Sequence, residues 1–196
     1  MPGLNSELVL GKILERAIDT KKKVGQIYLR FAELFSHVPE VENFWKRMNF
    51  NQTTHADWLK EIKESLTEEQ ILSLPEVEWV LKTHSIKNLF DKHSAKEIDN
   101  LHDAYLIAHE IEFSEVNELF KMLSNEFISS EEKRNIILNA IDIHQQQIMD
   151  LPGKFNNGTM MKDIKVEDSR EPSLESPVLR LDATPLNLSQ KNLTTE

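Results

Sequence analysis

Four stretches of this chain repeat apolar residues at alternating intervals of four and three. That spacing puts side chains on one stripe of an α-helix and limits the chain to a set of amphipathic helices packed on one another. Between Ser6 and Phe35 the stripe is Leu10, Leu14, Ala17, Val24, Tyr28, Phe31 and Phe35, with Lys21 filling its one gap. Pro39 suits the first turn of a second helix, whose stripe is Val41, Phe44, Met48, Gln52, His55, Leu59, Ile62 and Leu66. Ser94 is placed to cap a third, with Ile98, Leu101, Tyr105, Ala108, Glu112, Glu115, Leu119 and Met122 facing inward. Ser129 and Glu132 have capping-box spacing ahead of a fourth, which carries Ile137, Ile141, His144, Ile148 and Leu151 until Pro152 and Gly153 stop it.

Between the second and third stripes, Thr67-Glu68-Glu69-Gln70 reads as a capping box. Pro75 restarts a shorter helical piece holding Val77, Val80, Leu81, Leu89 and Phe90, so the stretch to about His93 is a long crossover. A short hinge, a long crossover and a second short hinge predict an all-α fold, an up-down four-helix bundle of the ferritin type spanning residues 5–152. After Gly153 the composition turns to Asn, Ser, Thr, Pro and charge with no sustained period, which predicts a disordered acidic and polar tail over 153–196. Its apolar islands, Ser176 to Leu181 and Pro185 to Leu188, are short enough to arise by chance.

The formal net charge of -10 opposes a nucleic-acid surface, which needs clustered Lys and Arg. There is no Cys, so disulfides, thiolate metal sites and a Cys-x-x-Cys iron centre are excluded. Neither a basic-then-apolar leader nor an apolar run near the ~20 residues of a membrane span is present, so a soluble, cytoplasmic protein is expected. No Gly-rich phosphate loop and no Gly-x-Ser-x-Gly elbow occurs.

The candidate chemistry lies on the inward stripes. A polar side chain on the seam between helices costs on the order of 1 to 3 kcal/mol unless it finds a partner, so Lys21, Gln52, His55, Glu112, Glu115 and His144 are expected to meet at one level. Laid on the second helix pair, the first falls nearly in register: Lys21 corresponds to Glu112, and Gln52-x-x-His55 to Ile141-x-x-His144. The remaining histidines, His37, His84, His93, His102 and His109, make no ligand spacing and are assigned to the surface.

Local phrases extend the pattern: Ala17 to Lys23 ahead of Tyr28, Pro39-Glu40-Val41 ahead of Trp45, Gln52 through His55-Ala56 to Leu59, and Ala108-His109-Glu110-Ile111-Glu112. In order and spacing they resemble the rubrerythrin family of ferritin-like proteins over roughly residues 5 to 151. The resemblance implies a site for two irons, held by a Glu from the first and third helices and Glu-x-x-His from the second and fourth. Glu112 then matches the third-helix carboxylate, Glu115 the extra carboxylate of rubrerythrins, and His55 and His144 the two histidines. Lys21 replaces the first-helix Glu, while Gln52 and Ile141 replace the two carboxylates that bridge the irons.

The resemblance therefore implies a degenerate centre in one of two forms. One is a metal-free polar core in which the Lys21 ammonium pairs with Glu112 or Glu115. The other is a single Fe, Zn or Mn on Glu112, Glu115, His55 and His144. Rubrerythrins are peroxide reductases fed through a Cys-bound iron domain, which this chain lacks. The expectation is a non-catalytic structural or interaction module, dimeric as that family commonly is and meeting a protein partner. The alternative is a metal-binding oxidoreductase or iron-handling protein.

Overall fold

The computed structural model describes residues 9–93, 96–154 and 160–166. Among them the fold is all-helical and holds no strand: α1 (Leu10–Leu34), α2 (Pro39–Ser65), α3 (Glu68–Leu72), α4 (Val77–His93), α5 (Leu101–Glu112), α6 (Glu115–Phe127) and α7 (Glu131–Lys154). None of these helices is long and apolar enough to cross a membrane.

α1 and α2 pack along their lengths as a hairpin, and both bury the stripes their sequences define. Gly25 lets the two backbones approach, because a Cβ there would stand 2.8 Å from Asn49 Oδ1. Next to it, Tyr28, Phe31, Phe44 and Trp45 form an aromatic cluster, with Tyr28 stacked on Trp45 at 5.6 Å and Phe31 edge-on to it at 4.9 Å. Each such side chain, fully buried, contributes about 1.5–3 kcal/mol through removal of apolar surface from water.

The crossover is helical, as expected, and its capping box is complete. Gln70 N donates to Thr67 Oγ1 at 3.3 Å, and Thr67 N donates to Gln70 Oε1 at 2.9 Å. It is pinned to the start of α1 by Leu10 N donating to Ser73 O at 2.9 Å and by Ile71 lying against Gly11. α4 packs on α6 and α1 through Trp79, Thr83, Ile86 and Phe90. Val77 and Leu81 are exposed, because the buried face of α4 is set by Trp79 and steps from there.

The third long helix differs most from expectation. Ser94 lies outside the described residues, and the helix is capped by Asn100, whose Oδ1 accepts from Asp103 N at 3.2 Å. It then breaks at Phe113 and Ser114 into α5 and α6. The Ser114 hydroxyl accepts from Val116 N at 3.2 Å and donates to Ile111 O at 2.6 Å, so it caps the second piece while closing the first. Beyond the break the buried face is Val116, Asn117, Leu119, Phe120, Leu123 and Ser124, without Glu115 or Met122.

α7 buries Ile137, Ile141, His144, Ile148 and Leu151 as predicted. Its cap is Ser130 rather than Ser129: Ser130 Oγ accepts from Lys133 N at 3.3 Å. It also runs through Pro152 and Gly153 to Lys154, since a proline in the last turn forfeits a single hydrogen bond. Part of the stretch expected as tail also packs on the helices. Residues 160–166 lie against the start of α5, with Met161 and Ile164 buried, Leu101 N donating to Ile164 O at 2.9 Å and Val166 N to Asp99 O at 3.0 Å. The apolar islands between Ser176 and Leu188 lie outside the described residues. His93, assigned to the surface from sequence, is buried, with Nε2 3.1 Å from Glu110 Oε2.

Candidate functional site

At mid-depth between the long helices sits a polar cluster built on Glu112. Its carboxylate falls at the end of α5, where unpaired backbone carbonyls already concentrate partial negative charge. A buried anion there needs donors, and it has them. Oε1 accepts from the Tyr28 hydroxyl of α1 and from Gln52 Nε2 of α2 at 2.8 Å. Oε2 accepts from Asn117 Nδ2 of α6 at 2.8 Å and lies 3.4 Å from His144 Nδ1 of α7. The backbone carbonyl freed by the helix break is taken by Asn117 Nδ2 at 2.8 Å and Gln145 Nε2 at 2.7 Å.

Lys21 is 1% exposed, and its ammonium does not touch a carboxylate directly. It donates to Asn117 Oδ1 at 2.5 Å and stands 5.0 Å from the centre of the Phe120 ring. Asn117 thus bridges cation and anion, with its oxygen on Lys21 and both amide hydrogens on Glu112. Burial pushes the Lys21 amine down to about 8, with the Glu112 charge opposing the shift. Burial pushes the Glu112 carboxyl up, but His144, the Lys21 charge and the Tyr28 hydroxyl outweigh it and hold the group well below the usual carboxylate range. Tyr28 is pushed well above its ordinary value by burial and by Glu112.

His55 faces this cluster from α2, its ring between Trp58 at 5.5 Å and Phe120 at 5.1 Å and edge-on to His144 at 5.5 Å. Burial, then the charges of Lys21 and His144, push it down to about 2, so it is neutral at any ordinary pH. Gln52 Nε2 also lies 3.3 Å from His144 Nδ1. Three buried atoms here have no hydrogen-bond partner: Gln52 Oε1, His55 Nδ1 and His144 Nε2.

Of the six inward polar residues expected from sequence, Lys21, Gln52, His55, Glu112 and His144 converge. Glu115 does not. Its side chain is 41% exposed and pairs with Lys82 of α4 at 2.5 Å, because the break after Glu112 turns that position away from the core. Ile141 is buried in the apolar core. Asn117, Tyr28 and Gln145 complete the site and were not singled out as polar members from sequence.

The donor set does not fit a di-iron centre. Both Glu112 oxygens are engaged by protein donors, Glu115 is turned out to Lys82, and an ammonium is fixed beside the Glu112 carboxylate. Among the described residues no group of three or more His, Asp or Glu is arranged to hold a metal ion. Comparison of the chain with protein-family models, with curated proteins and with solved structures found no match.

Proposed function

We propose that the chain is a ferritin-like, rubrerythrin-type four-helix bundle in which a lysine-centred polar core stands in for the di-iron centre. It works as a non-catalytic structural or interaction module, cytoplasmic and dimeric, for a protein partner. What supports the bundle reading is that α1, α2, the α5–α6 pair and α7 each send polar side chains to one level, while α3 and α4 form the connection. The observation that carries the functional reading is Lys21, buried and tied through Asn117 to Glu112, the single carboxylate left in the site. Two divalent irons against one carboxylate and a fixed cation leave a dry site with a large uncompensated charge.

The test is metal content. Chain produced in iron-rich medium and purified without chelator is expected to carry transition metal well below one ion per chain and to show no absorbance change on oxidation. Stoichiometric iron refutes the reading.

A second reading, a single transition metal in an iron-handling or oxidoreductase protein, draws on one observation: His55 Nδ1 and His144 Nε2 are buried without a protein partner. Stoichiometric Zn or Mn that is lost on replacing His55 and His144 would favour it.

A further inference from the structure

We propose that Lys21 and Asn117 join in an intramolecular isopeptide bond that links α1 to α6, with Glu112 as the proton shuttle. Bond formation between a lysine amine and an asparagine carboxamide needs three things. The amine must sit against the carboxamide carbon, an acid-base group must contact the leaving nitrogen, and water must be excluded so that the amine is released from its charged form and the product is not hydrolysed.

Each is present. Lys21 Nζ is 2.5 Å from Asn117 Oδ1, and a C=O bond is about 1.2 Å long, so Nζ lies no farther than about 3.7 Å from Asn117 Cγ. Reacting atoms in a near-attack arrangement are about 3–3.5 Å apart, a distance reached by a small rotation at the end of the lysine side chain. Glu112 Oε2 is 2.8 Å from Asn117 Nδ2, the nitrogen that must leave. The Asn117 orientation is fixed by its partners, because its nitrogen faces the Glu112 carboxylate and carbonyl and its oxygen faces an ammonium. Lys21, Asn117 and Glu112 are all buried, and Phe120 covers the amine.

The steps balance without an external reagent. The Lys21 ammonium gives one proton to Asn117 Oδ1, the oxygen it already donates to, and the freed amine attacks Asn117 Cγ as the carbonyl electron pair moves onto that oxygen. The Glu112 carboxylate, in contact with Nδ2, takes the second proton from the attacking nitrogen, now bonded to the same carbon, and passes it to Nδ2. The carbonyl re-forms as the Cγ–Nδ2 bond breaks, and ammonia leaves with the proton released from Oδ1, departing as ammonium. Lysine and asparagine have become one secondary amide, and Glu112 is again a carboxylate, held by Tyr28, Gln52 and His144.

Intact-mass measurement of the full chain, held folded somewhat above pH 8, where burial leaves the Lys21 amine partly free, tests this. The expected mass is below the sequence mass by one ammonia, and proteolysis is expected to release a branched peptide containing both Lys21 and Asn117. Lys21→Met and Asn117→Ala are expected to restore the sequence mass, and Glu112→Gln to slow closure at least tenfold. A wild-type chain that is folded by circular dichroism and keeps its full sequence mass overturns the proposal. An ammonia loss that persists in Lys21→Met also overturns it, since a succinimide at any asparagine, Asn157 ahead of Gly158 included, loses the same mass without joining two segments. The wild-type peptide map decides the matter even if a variant fails to fold.

Discussion

Tyr28→Phe removes one oxygen atom from the centre of the protein and nothing else. Tyr28 is fully buried, and its hydroxyl donates to Glu112 Oε1, a carboxylate held in its charged form. A hydrogen bond to a charged group contributes about 1.5–3 kcal/mol, and deletion of the hydroxyl leaves no cavity large enough to add a packing penalty. Gln52 remains on the same oxygen, which argues for the lower half of that range. For a chain of this size the corresponding fall in melting temperature is roughly 3–9 °C. Urea unfolding at pH 7 measures the difference, and an unchanged m-value would place it in the native state. The variant also weakens one of the forces that hold the Glu112 carboxyl down. The stability that Glu112 contributes is present above the unfolded value of 4.5 and is lost as the pH falls through its lower folded value, so the decline should begin near 4.5 in both chains but level off at a higher pH, with a smaller total loss, in Tyr28→Phe. A variant within about 0.5 kcal/mol of wild type, the usual range of surface changes, would refute the view that Glu112 is a charged node of the core.

Acid sensitivity should begin above the carboxylate range. His55 is held down to about 2 from 6.5, so it contributes stability that is present above pH 6.5 and is lost as the pH falls below it, at about 1.4 kcal/mol per pH unit. His55→Phe should flatten the unfolding free energy between pH 6 and 5, as read by urea titrations at each pH. Gly11→Ala sets a Cβ 2.8 Å from Ile71 Cγ2 and 3.3 Å from its backbone oxygen and should cost about 1–3 kcal/mol by displacing α3. Gly25→Ala, which meets the movable end of Asn49, should cost less, because alanine gains up to about 1 kcal/mol in helix propensity. Ending the chain at Lys154 removes Met161, Ile164 and the acceptor of Leu101 N, so the Leu101 amide should lose its protection against hydrogen exchange.

The stripes of α1, α2 and α7 were legible in the sequence because nothing interrupts their period, and so were the inward places of Lys21, Gln52, His55 and His144. α5 and α6 were not legible as two helices, because Glu112, Glu115 and Leu119 continue the same stripe on paper. In an unbroken helix Asn117 would lie about 140° around from Glu112 and could not reach it. The break brings the two together, and the clue was Ser114, a residue that favours caps over helix interiors, followed three positions later by Asn117, another polar residue. Tyr28 was read for its ring alone; its hydroxyl gained a role only once Glu112 was known to sit opposite. Residues 160–166 were read as tail because a short docked segment has too few apolar residues to show a period, although Met161 and Ile164 suffice to anchor it.

The polar core is not needed to make the bundle stable, since apolar side chains of similar volume often replace buried ion pairs at no cost. What it supplies is registry. Glu112 is reached by Tyr28 from α1, Gln52 from α2, Asn117 from α6 and His144 from α7, and each contact tolerates only a few tenths of an ångström. A shift of α1 by a single residue moves it 1.5 Å along its axis and turns it by 100°. That would take Lys21 off Asn117 and Tyr28 off Glu112 together, leaving a buried ammonium and a carboxylate short of donors. Neighbouring registers of the apolar stripe are thereby penalised by several kcal/mol, which an all-apolar seam of leucines and isoleucines would not achieve. The same precision holds an amine against a carboxamide for the lifetime of the folded chain, the condition under which a slow reaction between them goes to completion.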